Sequence, residues 1–403
     1  MRPGSVEPPP LRRGAGGGPQ RATLLELFFD LVFVGALALT SLTLSREPTW
    51  SGAAKAILPL MAIWWIWTIT ALVTDFYDPQ QRPIQVVLAG VMLGISQMAV
   101  ATPNAFGKSG LVFAVSNVAI HLGRGVLLVS VLYRRERVAA QRAGRFLFWF
   151  SLTSVPWLIG GLSGERTRFI LWGVALAVDY VSGGLRYPTP WIGRVPKEQY
   201  DQAGEHLGER YQQFMILALG DMILVAILGY SRVPRTGMHT LAALTAFVTT
   251  VVLWQIYVNR AGSILQMVTV RSPGRSARWA PYTHLTMVTG VITMAAGFDL
   301  VIPRPTGDTP LGWGGVIIGG PALFMIGRIT FEYEVFDRWS WTRVFWLAFL
   351  IVAAPPVILF LPPLGVAAYA AAVLLGIAIT DQLRVRSRAS NATSHRQRPT
   401  NPE

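Results

Sequence analysis

Cysteine is absent from the 403 residues, which excludes disulfides and thiolate metal sites. Charged residues are scarce at 14%, against 52% hydrophobic, and the mean hydropathy is +0.43. A soluble domain of this length is not so apolar, so a membrane class is implied before any motif is read. Lysine is nearly missing, standing only at Lys55, Lys108 and Lys197, and no function follows from that preference for arginine. The formal net charge of +14 would raise nucleic-acid binding if the basic residues shared one soluble face. They sit between apolar runs instead, so no nucleic-acid partner is expected. There is no P-loop, dinucleotide glycine pattern, His-Glu-x-x-His or nucleophile elbow, and the five histidines show no ligand spacing. No cofactor, metal or catalytic residue is assigned, and the chain is not expected to be an enzyme.

What the sequence does have is apolar runs of about 18 to 24 residues, long enough to cross a hydrocarbon core as helix. The expected fold is an all-α integral membrane protein of about twelve transmembrane helices. They fall near residues 24–44, 55–73, 84–101, 110–133, 144–162 and 168–187, then 209–230, 240–259, 281–301, 312–332, 343–361 and 364–383. Residues 1–20, rich in Pro, Gly and Arg, read as a disordered cytoplasmic tail, and so do residues 384–403. Residues 188–206 read as a polar cytoplasmic linker between residues 21–187 and 207–383, and residues 260–280 as a similar loop. Arginines concentrate in the tails and alternate connections, most densely at Arg134, Arg135, Arg137, Arg142 and Arg145. Because Lys and Arg resist translocation, both termini are expected in the cytoplasm of a bacterial inner-membrane protein.

The two halves read as copies. Asp30 falls against Asp221, Trp67 against Trp254, and Gly94 with Met98 against Gly290 with Met294. Gly123 and Arg124 match Gly327 and Arg328, Phe148 and Trp149 match Phe345 and Trp346, and Asp179 matches Asp381. Six helices per copy preserve orientation, so the copies are expected as parallel repeats about an axis along the membrane normal.

Charges inside a bilayer cost about 2.5–3.5 kcal/mol each unless paired or hydrated, so the few present are the informative residues. Glu26 and Asp30 are four apart on one helix face, with Asp30 ~6 Å deeper. The pair reads either as a proton carrier or cation ligand, or as a structural bridge. His121 and Arg124 share a face of the fourth helix, and Arg328 and Glu332 a face of the tenth. The seventh begins at Glu209 and Arg210 and reaches Asp221 after twelve residues, ~18 Å of rise. The economical pairings are Asp30 with Arg124 and Asp221 with Arg328. These nine residues are the candidate pathway, and their bland alternative is the fixing of helix register.

The run Glu26-Leu27-Phe28-Phe29-Asp30-Leu31-Val32-Phe33-Val34 resembles the signature of the bacterial low temperature requirement A family. So does His206-Leu207-Gly208-Glu209-Arg210-Tyr211, followed by Leu219-Gly220-Asp221. The resemblance spans the chain apart from its tails. It departs at Asp221, where the family usually has Glu, so the carboxylate stands one methylene closer to the backbone. The family is associated with growth in the cold, and the resemblance implies fold and location more than mechanism. The Phe-Phe-Asp-Leu-Val-Phe run is also faintly similar to potassium channels, lysosomal and bacterial, that carry a Phe-Ser-Asp motif. The expected function is an ion- or proton-coupled transporter or channel-like permease, with the bilayer and a proton or small ion as partners. The alternatives are an intramembrane lipid-modifying enzyme and a non-transporting scaffold or sensor.

Overall fold

A computed structural model of the protein describes residues 22–201, 205–271 and 273–396, with only the backbone described at 200–201, 205, 259–271, 273–278 and 384–396. The expected first tail lies outside the described residues, as do residues 397–403 of the second. The helices are α1 (Leu24–Arg46), α2 (Trp50–Phe76), α3 (Arg82–Ala101), α4 (Gly110–Tyr133), α5 (Arg137–Leu162), α6 (Glu165–Gly184) and α7 (Lys197–Asp201). They continue with α8 (Glu205–Ser231), α9 (Gly237–Arg271), α10 (Pro273–Val301), α11 (Leu311–Phe336), α12 (Trp341–Val352), α13 (Ala354–Phe360) and α14 (Pro363–Arg396). No strand occurs among the described residues.

Every expected span falls on helix, the eleventh divided into α12 and α13 just before Pro355 and Pro356, which cannot continue an α-helical hydrogen-bond ladder. Among the described residues, ten spans are long and apolar enough to cross a membrane. The two that fall short are α5 and α6. Arg137, Arg142 and Arg145 open the first, and the second carries Arg166, Arg168 and Asp179. Two boundaries differ from expectation. Residues 260–280 are not an open loop, since α9 runs to Arg271 and α10 starts at Pro273. The helix α14 continues past Leu383 to Arg396, through a stretch holding no Pro or Gly to break it. The 188–206 linker is exposed over most of residues 190–198 and is tied to the bundle at a few points. Arg145 donates to the carbonyls of Gly193 and Ile192, Trp149 to that of Pro188, and Val195 is buried.

Burial sorts the helices. The most apolar stretch of α2 is 89% buried and that of α10 is 83% buried, which makes these two the centre of the bundle. Only 17% of the α12–α13 stretch is covered, which leaves its apolar surface facing outward. Within the first half α1 packs on α2 and α3, α3 on α4, α4 on α5, α5 on α6, and α6 back on α2. Within the second half α8 packs on α9 and α10, α10 on α11, α11 on α12, α12 on α14, and α14 back on α9. The halves meet where α1 lies against α8 and α10.

The contact between α10 and α11 depends on glycine. A Cβ at Gly290 would stand 2.5 Å from the Phe324 amide nitrogen and 2.7 Å from the Gly320 carbonyl oxygen, both backbone atoms with nowhere to move. Gly320 and Gly327 meet the backbone of α10 just as closely. Such small-residue contacts let membrane helices approach, since lipid offers no hydrophobic drive between them. Gly290→Ala is expected to cost about 1–3 kcal/mol by overpacking. Gly319→Ala, whose Cβ meets nothing within 4 Å, is expected to be neutral. Thermal unfolding of the two variants in detergent checks the contrast.

Candidate functional site

The site is assembled at the junction of α1, α2 and α8. A capping box opens α1, with Thr23 accepting from the Glu26 amide while the Glu26 carboxylate accepts from the Thr23 amide at 2.8 Å. That fixes Glu26 on the buried face, with Asp30 one turn further along. Arg210 of α8 reaches across, its Nη2 2.5 Å from Asp30 Oδ1 and its Nη1 3.2 Å from Glu26 Oε1. All three side chains have 0% exposure, so each charge depends on the others. Trp67 of α2 donates its indole N–H to the same Asp30 oxygen at 2.8 Å.

The network extends through His206, one turn before Arg210 on α8. Its Nε2 lies 3.3 Å from Glu26 and its Nδ1 3.2 Å from Asp75 at the end of α2. Both ring nitrogens face carboxylates, an arrangement satisfied only when both carry hydrogen. The result is one polar layer near the starts of α1 and α8, holding three carboxylates against a guanidinium and an imidazole. Above it the interior turns aromatic. Phe214 of α8 packs 4.5 Å from Trp67, 5.3 Å from Trp64 and 6.1 Å from Phe33 of α1, between ring centroids.

A second polar layer lies beyond these rings. Asp221 comes eleven residues after Arg210, about three turns or ~16 Å along α8, and so shares its face. It meets Ser41 of α1, itself eleven residues after Asp30. The two helices therefore run parallel and in register. Asp221 has 0% exposure, and its carboxylate oxygens make no well-aligned hydrogen bond among the described residues, the adjacent Ser41 hydroxyl being the donor within reach. The Ser41 hydroxyl donates instead to the Ala38 carbonyl at 3.0 Å. One turn on, the Ser45 hydroxyl donates to Asp299 of α10 at 2.6 Å.

The expected pairings of Asp30 with Arg124 and Asp221 with Arg328 do not form. Arg124 turns to α2, donating to Thr70 Oγ1 at 2.7 Å and the Ile66 carbonyl at 3.4 Å, with His121 Nδ1 at 2.8 Å. His121 stacks on Phe150 at 3.9 Å. Neutral groups thus absorb a cation that the sequence offered to Asp30. Arg328 lies 3.5 Å from Glu332 on its own helix, and Glu332 is bound more closely by Arg343, which also holds Asp381 at 2.5 Å. Glu209 is half-buried and receives a bond from Gln213, outside both layers. Of the nine candidates, then, Glu26, Asp30 and Arg210 share one layer and Asp221 stands in the other. The remaining five lie elsewhere. The expected equivalence of Asp30 and Asp221 also fails in depth, because Asp30 stands opposite Arg210.

Sequence reasoning passed over His206 as a site residue, together with Asp75, Trp67, Ser41, Ser45 and Asp299. The four-residue spacing of His206 and Arg210 is a signal that would have found the first. An apolar groove of about 600 Å³ runs between α2, α10 and α11, past Trp50, Ile57, Gly312, Gly319 and Leu323. No acidic residue lines it.

A helical bundle with ten membrane-length spans among the described residues, and with Glu26, Asp30, Arg210 and Asp221 buried where α1 meets α8, defines a multi-pass membrane protein. Residues 21–379 match the family described as bacterial low temperature requirement A protein, and the chain belongs to that family. It is 32% identical over 372 residues to an uncharacterized protein of Rhizobium meliloti (strain 1021), across 91% of this chain and 90% of that one. No solved structure matches it.

Proposed function

We propose that the protein is a proton- or ion-coupled permease of the bacterial inner membrane, with no enzymatic activity and both termini in the cytoplasm. The observation that carries this reading is the complete burial of Glu26, Asp30 and Arg210 across the contact between α1 and α8. Charges so enclosed contribute little net stability compared with apolar packing, but exchange of their partners is a ready way to couple an ion to a helix movement. Twelve spans arranged as two parallel repeats suit that role. The repeated order of helix packing supports duplication, as do Gly94 and Gly290, which stand at the α3–α4 and α10–α11 contacts. Outward apolar residues on α5 and α6, among them Leu152, Ile159, Ile170 and Val174, support counting both as spans. The orientation rests on the arginine-rich connections.

The test is flux in liposomes of phosphatidylethanolamine and phosphatidylglycerol containing a pH-sensitive dye. The wild type is expected to dissipate a proton or monovalent-cation gradient, and Asp30→Asn and Asp221→Asn to lose that flux. Zero flux under proton, sodium and potassium gradients alike would end the reading. The dense bonding around Arg210 also favours a rigid scaffold, which predicts that both folded variants still support growth in the cold.

A further inference from the structure

Asp221 has no part in the charge network around Arg210, and its surroundings pose a separate chemical problem. An ionised carboxylate sealed from water without a donor or a cation is costly. Here the polar company is the Ser41 hydroxyl, a neutral group whose single hydrogen is contested by the Ala38 carbonyl. We propose that Asp221 is a proton-binding station loaded from the far end of the bundle, with Asp299 as its mouth and the hydroxyls of Ser41 and Ser45 as the relay. This deepens the permease reading above and takes its orientation from it, the far end being the external face.

Three observations converge. Asp299 is half-buried near the end of α10, whereas Asp221 is fully enclosed, so the two acids form an outer and an inner position. Ser45 already donates to Asp299 at 2.6 Å, and Ser41 stands one turn deeper on the same face of α1, beside Asp221. A rotation of the Ser41 side chain away from the Ala38 carbonyl would give Asp221 a donor, and the ~6 Å of helix rise between Ser41 and Ser45 is a gap that one water can bridge. Beneath Asp221, Phe33 and Phe214 stand between it and the Arg210 layer, which closes the route to the near end.

A proton fits better than a metal ion. It needs a single oxygen, whereas a hard cation needs a shell of several, and no group of three or more acidic or histidine side chains that could hold a metal ion is found among the described residues. The titratable group facing Asp221 from α10 is Asp299, and α1 faces it with serines alone. On α9, His239 is engaged by Thr236 at the far end and Tyr257 by His284. On α2, Lys55 is held by Glu47 and Glu165, and Asp75 belongs to the other layer. No basic side chain among these is placed to neutralise Asp221.

Infrared difference spectroscopy of the full chain in lipid nanodiscs, recorded across a pH step, tests the station without any gradient. A protonated carboxyl lacking hydrogen bonds absorbs at the high-frequency end of the carbonyl range. The wild type is expected to show such a band and Asp221→Asn to lose it. Asp299→Asn and the double variant Ser41→Ala with Ser45→Ala are expected to keep the band and slow its exchange. Asp179→Asn should leave it unmoved, since that carboxylate accepts from Thr153. A band that survives in Asp221→Asn overturns the proposal. So does one that sodium abolishes at constant pH, or an exchange rate indifferent to both Asp299 and the serines. A titrating band in a protein that carries no flux would keep the station and end the permease reading. Flux without the band would do the reverse.

Discussion

Arg210→Met should destabilise the protein by about 3–5 kcal/mol, the range for removing one partner of a buried ion pair. The loss comes from what remains rather than from the contact itself. Glu26 and Asp30, both fully enclosed, would face each other without the guanidinium, left to neighbours such as His206, Trp67 and Thr23. Adding Glu26→Gln and Asp30→Asn to Arg210→Met should therefore restore much of the stability, because the stranded charges disappear with the cation. Unfolding in mixed detergent micelles measures both effects. A single variant as stable as the wild type, or a triple variant worse than the single, would show that the three residues do not act as one unit. Lysine at this position is expected to be a partial substitute only, as it lacks the fork that reaches two carboxylates at once.

Arg168→Ala should be comparably damaging, by about 3–5 kcal/mol, for a different reason. This side chain, 6% exposed, donates to the carbonyls of Gly160, Gly161 and Ser163 at the end of α5 and of Ala105 and Gly107 beyond α3. Hydrogen bonds to a charged group contribute about 1.5–3 kcal/mol each, and they are not additive here because one guanidinium makes all five. The carbonyls at a helix end have no partners within the helix, so losing this donor leaves several of them buried and unmet. Thermal unfolding and protease sensitivity near residues 102–109 should both report the loss. Unchanged stability would mean that water replaces the guanidinium without cost.

These two arginines show how much of the molecule was legible in the sequence. Apolar length located ten of the expected spans among the described residues, because hydrocarbon thickness dictates helix length whatever the packing. Rarity of charge singled out Glu26, Asp30, Arg210 and Asp221, since a bilayer tolerates few ionised groups without a use for them. Partner choice was not legible. The sequence says which face of α4 carries Arg124 but not which helix that face meets, and Thr70 on α2 outcompetes a carboxylate for it. Nor did the repeat landmarks fix depth, for Asp221 stands level with Ser41 and not with Asp30. Arg168 looked like the mere start of a span. Its five acceptors come from α5 and the loop beyond α3, contacts that no periodicity within α6 encodes.

The eleven-residue spacing that α1 and α8 share has a mechanical consequence. Three full turns separate the partners on each rod, so both anchor points lie along a single seam. Spinning α8 about its long axis would tear them apart together and gain nothing. Rocking α8 about the Phe33–Phe214 contact as a fulcrum would slacken one anchor while pressing the other closed, so the pair of rods is geared for a seesaw and not for a screw.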